Sequence, residues 1–110
     1  MPIDVGKIAG QMLAAALPIL SSGGANVKDY AETEFKKIAQ QIAFIGEQYV
    51  AGKLTEAGAK ALLEMQVNSG KILLLTIEGL GLLVVEQAIN AALSVVKTAV
   101  NTALGFALIG

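Results

Sequence analysis

The chain has 110 residues, 55% of them from the AVILMFWYC set and 15% charged. That is apolar enough for one packed domain and too poor in charge for a disordered one. It contains no Cys, His, Trp or Arg, which excludes disulfides, zinc–thiolate and histidine metal sites, thiol or imidazole catalysis, and the bidentate arginine fork for phosphate. With a net charge of −1, no global field recruits nucleic acid.

The first predicted helix covers residues 3–20. Pro2 suits its opening turn and Asp4 the positive end of its dipole. Gly6, Gly10 and Ala14 form a nearly bare stripe that permits close helix approach, while Ile8, Leu13, Leu17 and Leu20 supply bulk. A membrane-dimer role for Gly6-x-x-x-Gly10 is disfavoured by the nearby charges of Asp4 and Lys7. Pro18 is expected to tighten the last turn. Residues 21–26 form a linker centred on Gly23-Gly24. Lys7, the apolar run 12–20 and the small residues 21–25 have the outline of a secretory signal. Asp4 and the early glycines argue against one, and localisation stays open between a cytoplasmic assembly and a membrane-associated form.

The second helix is predicted over 27–51. Asn26 is read as its N-cap, with Asp29 three residues on in a variant capping box. Ala31, Phe35, Ile38, Ile42, Ile45 and Tyr49 follow in alternating steps of four and three, a heptad seam that requires a partner helix. Glu32 and Lys36 are placed for an i,i+4 pair, and Lys36-Lys37 read as a solvated face with local ion pairing. Gly52 ends this helix, Lys53-Leu54-Thr55 make a turn, and Thr55 caps the next helix. Together they predict an antiparallel hairpin.

One long helix is predicted from about 56 to 104, with a kink admitted at Gly79–Gly81. No proline interrupts it, and apart from Glu78 the residues around the two glycines are apolar, whereas a solvent-exposed turn should contain polar groups. Lys60, Glu64, Lys71 and Glu78 lie on one line, which Glu86, Lys97 and Asn101 continue with slow drift. Such a rod would be about 70 Å long. Residues 72–110 carry only Glu78, Glu86 and Lys97 as charges. Ile89, Leu93, Val96 and Val100 form a large apolar seam there, and Ala88, Ala92, Ala99 and Ala103 a small-residue seam beside it. Two apolar faces require two neighbours; the first helix supplies one, so the other is expected from a second subunit or from lipid. The apolar end, 106–110, is expected to dock on another surface.

The chemistry-bearing candidates are few. Gly79-Leu80-Gly81 resembles the start of a dinucleotide fingerprint, but Val84 replaces the third glycine and no βαβ pattern surrounds it. Glu78 and Glu86 read as part of a polar face, not as a catalytic or ion-conducting pair. No catalytic, cofactor-binding or metal-ligating residue is expected. The fold class is therefore all-α in a single domain: a helical hairpin with one long C-terminal helix and two shorter ones. The function expected is that of a non-enzymatic structural or scaffold protein that assembles with itself through Ala88, Ile89, Ala92, Leu93, Val96, Ala99, Val100 and Ala103. The alternative is a membrane-active or pore-forming protein that inserts residues 72–110, with Glu78, Glu86, Asn90, Lys97 and Asn101 as the polar stripe or lumen.

Overall fold

The computed structural model describes residues 3–110, and Pro2 with its predicted role in the first turn lies outside them. The described chain is all-helical: α1 (Val5–Ala16), a short 3-10 turn (Ser21–Gly23), α2 (Val27–Val50), α3 (Glu56–Leu75) and α4 (Leu82–Leu104). The helices run up, down, up and down as a four-helix bundle. Packing is most extensive between α1 and α4, then between α1 and α2 and between α2 and α3; α3 and α4 touch more loosely.

Local chemistry sets most of the ends. Asp4, in extended conformation, caps α1 by accepting the Lys7 N–H at 3.0 Å. The helix stops at Ala16, short of residue 20, because Pro18 brings no N–H to the ladder. The chain tightens instead, with the N–H groups of Ile19 and Leu20 both donating to the Ala16 carbonyl. Asn26 does not cap α2: it is itself helical in conformation (φ −84°, ψ −9°) and makes no side-chain capping bond. At the far end, Gly52 takes φ +76°. There the Lys53 N–H donates to the Gln48 carbonyl at 2.9 Å and the Gly52 N–H to that of Tyr49 at 3.0 Å, the paired bonds of a Schellman stop. Thr55 then caps α3, its hydroxyl accepting the Gly58 N–H at 3.0 Å. The predicted hairpin at 52–55 is present.

The helix expected over 56–104 is two helices, and the break falls at the glycines that marked its kink. Gly79 has φ +93°, and a Cβ placed on it would run into the Ser22 carbonyl oxygen. The turn meets water on one side, where Thr76 and Glu78 are exposed, and is covered on the other. It packs on the α1–α2 turn, with Leu80 buried and its Cδ2 only 3.2 Å from where a Cβ on Gly23 would lie. Thr76 and Glu78 are the polar residues that an exposed turn requires, and the expectation of one continuous helix leaves them out of account. Breaking the rod lets α4 fold back and bury its Val/Ile face against α1, so the described chain measures 42 × 22 × 19 Å.

The α2 seam is buried as its spacing predicts, from Ala31 through Ile45, around a centre that includes Phe35, Met12, Leu20, Leu74, Val85 and Val96. Tyr49 is half-buried and stacks on Phe106, the ring centroids 4.5 Å apart. The accessible surface of 5888 Å² is close to the roughly 5,700 Å² expected of a compact monomer of this mass. One copy thus encloses a complete core.

Candidate functional site

The residues expected to join subunits fall mostly inside the chain. Ala88, Ile89, Ala92, Val96 and Val100 are buried; Leu93 and Ala103 are half-buried, and Ala99 is exposed. The reason is the break at 76–81. With α3 and α4 separate, α1 and α3 both flank α4, so its two apolar faces find their two neighbours in one copy. The apolar end also docks within its own chain. Gly105 turns the backbone at φ +80°, Leu108 and Ile109 are buried, and Asn101 clasps the tail. Its Nδ2 donates to the Ile109 carbonyl and its Oδ1 accepts the Ile109 N–H, each at 2.9 Å. Asn101 is therefore a local clamp in this fold. Its amide satisfies a backbone donor and a backbone acceptor that would otherwise lie part-buried without partners.

The rest of the polar line divides. Glu78 lies exposed in the α3–α4 turn, Glu86 is half-buried near the start of α4, and Asn90 and Lys97 are exposed further along it. Lys60 and Glu64 of α3 meet Asn90 and Lys97 of α4 across an open groove of about 600 Å³, floored by Leu63, Val67 and Leu93 and closed at one end by Leu108 and Ile109. The polar phase that links the two segments in sequence thus reflects two helices presenting polar edges to one groove. Ser94 lines the groove with the two lysines and, among the described residues, makes no hydrogen bond to either. No group of three or more Asp or Glu residues able to hold a metal ion occurs among the described residues. The groove offers solvated charges over an apolar floor, without a nucleophile held against a base.

One charged residue escapes the sequence pattern. Glu34, one turn before the Lys36-Lys37 face, is 4% exposed and packs its stem toward Gly70 of α3, its Cβ 4.0 Å from where a Cβ on Gly70 would lie. Its carboxylate reaches Lys37 Nζ at 3.6 Å, the one ion pair among the described residues. Its burial depends on α3 lying alongside α2, which nothing local to Glu34 in the sequence announces.

What the fold leaves outside is a further apolar seam that periodicity along the sequence did not single out. Along the outer face of α3, Ala61, Met65, Asn68, Ile72 and Leu75 are all exposed; Met65 stands 68% and Ile72 65% open. They succeed one another in steps of four and three, the heptad spacing of a helix that faces another helix. Past the α3–α4 corner, Leu82 at 53% and Leu83 at 71% are exposed as well. Glu64 and Lys71 border the seam on one side and Leu62, Ser69 and Thr76 on the other, as the helical phase of α3 dictates.

No protein-family model, curated protein or solved structure matches this chain. Its function has to be read from these surfaces.

Proposed function

We propose that the chain is a non-enzymatic structural protein that works by associating with copies of itself, with no nucleic-acid or cofactor partner. The observation that carries this is the exposed heptad seam of α3. Soluble monomers scatter single apolar residues over their surface but seldom align four at coiled-coil spacing, as Ala61, Met65, Ile72 and Leu75 are around Asn68. Two of the four are large aliphatic or thioether side chains more than half open. The contact surface differs from the α4 seams expected from the sequence: α4 supplies core, and α3 supplies contact. Glu78, Glu86, Asn90 and Lys97 are surface groups in this reading and Asn101 a clamp, with no catalytic role for any of them.

A second reading has its own support. α4 is 23 residues long, apolar, and charged only at Glu86 and Lys97, so it has the length to cross a bilayer. Insertion would require α4 to leave α1 and expose the core, which makes it a conversion of this fold and not a property of its surface. Sedimentation velocity from about 1 to 100 µM in plain buffer, paired with flotation on anionic and neutral vesicles, separates the two. Concentration-dependent dimers or larger species without lipid support self-association. Monomers throughout, with flotation on vesicles, overturn it in favour of insertion.

A further inference from the structure

We infer that two copies join antiparallel along α3, in the register that sets Met65 against the partner's Asn68 and Ile72 against the partner's Ala61. This rests on the self-association reading above and specifies its geometry. The choice of a second copy as occupant comes from charge. In a two-helix seam, the residues that flank the contact select the orientation. One flank of α3 carries Glu64 and Lys71, seven residues apart; the other, through Leu62, Ser69 and Thr76, carries no charge.

In a parallel pair, each charged flank faces the partner's uncharged flank, and neither Glu64 nor Lys71 gains a counter-charge. In an antiparallel pair the charged flanks face one another. The stated register then places Glu64 beside the partner's Lys71 and Lys71 beside the partner's Glu64, two equivalent pairs about one two-fold axis. Sliding by one heptad, so that Met65 meets the partner's Leu75, brings Lys71 against the partner's Lys71 and leaves Glu64 past the end of the partner's α3. The flanking contact that remains is repulsive. Charge thus selects one orientation and one register among those the apolar spacing permits.

Size agrees with this choice. Ile72 opposite the partner's Ala61, and Leu75 opposite the partner's Gly58, pair large with small, so the two helices can approach closely at both ends of the seam. Asn68 stands near the axis beside the partner's Met65, where a lone polar seam residue penalises other registers at some cost in affinity. Neither Glu64 nor Lys71 has an ion-pair partner within its own chain among the described residues, so both are free to form the intersubunit pairs.

The test is charge exchange read by sedimentation equilibrium, with helicity by circular dichroism as the check on folding. Glu64→Lys alone and Lys71→Glu alone should each weaken the dimer by at least about tenfold, since each replaces two attractive contacts with two repulsive ones. The double variant E64K/K71E should recover to within about threefold of the native chain, because the pairs are merely reversed. Because the chain has no cysteine, orientation can be read directly: an equimolar mixture of M65C and N68C should oxidise mainly to the mixed dimer. A native dimer indifferent to both single reversals, or like-with-like disulfides only, would overturn this geometry while leaving self-association standing. A native chain that stays monomeric would remove both.

Discussion

Replacing Gly79 with Ala tests the architecture by the sign of its effect. In an uninterrupted helix over 56–104 this glycine would be an interior residue, and alanine would stabilise by about 1 kcal/mol through helix propensity. In the folded chain Gly79 has φ +93° and faces the Ser22 carbonyl. An L-residue held at positive φ costs about 1–2 kcal/mol. The reduced freedom of the unfolded chain returns roughly 0.5–1 kcal/mol of that. The added methyl must also displace the α1–α2 turn, loosening the contact that buries Leu80 and Leu20; re-exposing half of one leucine costs about another 1 kcal/mol. The net expectation is a loss of about 2 kcal/mol, seen as a fall of roughly 10 °C in the midpoint of a circular-dichroism melt. Gly81→Ser is the matched control. Gly81 is the N-cap of α4 at φ −97°, with open space where a Cβ would lie, and a serine oxygen there should raise stability by roughly 0.2–0.5 kcal/mol. A Gly79→Ala chain that melts at or above the native midpoint would refute the break and the packing of the two turns.

Thr55→Ala removes the hydroxyl that accepts the Gly58 N–H and should cost about 1 kcal/mol in urea denaturation; no loss would mean the cap is not made in solution. Asn101→Ala deletes both bonds to Ile109. It should destabilise by about 1–2 kcal/mol and speed amide exchange at Ile109 selectively, leaving the middle of α4 protected. Ala92→Lys and Ala99→Lys should part company, because Ala92 is fully buried while Ala99 is exposed. The first should unfold the chain or cost at least about 3 kcal/mol, and the second should change stability by no more than about 0.5 kcal/mol. Equal tolerance of both in thermal melts would place α4 outside the core.

The parts of this protein that could be read from its residues are those governed by contacts within a few positions of one another. The all-helical class follows from apolar spacing along α2, and the Gly52 stop and the Thr55 start follow from backbone groups that nearby atoms satisfy. Asp4 also acts locally, though as the N-cap of a helix that starts at Val5, not as the first-turn residue of one starting at 3. Asn26 shows the limit of that logic: a suitable side chain caps only if its own backbone is extended, and the turn from Gly24 held it helical instead.

What tertiary structure decided is whatever depends on partners distant in sequence. The turn at 76–81 is stable because Gly79 and Leu80 meet residues 22 and 23, far earlier in the chain; without that contact the polar phase continuing across it argues for one helix. Once the chain turns there, both faces of α4 find cover inside one copy, and most of the seam from Ala88 to Val100 becomes core. The exposed seam moves to α3, where apolar residues lie on several sides and periodicity alone cannot say which of Leu63, Leu74, Met65 or Ile72 will face inward. Helix formation answers to neighbours three and four residues away; the choice of buried face answers to which helices surround it, and that is settled only when the whole chain packs.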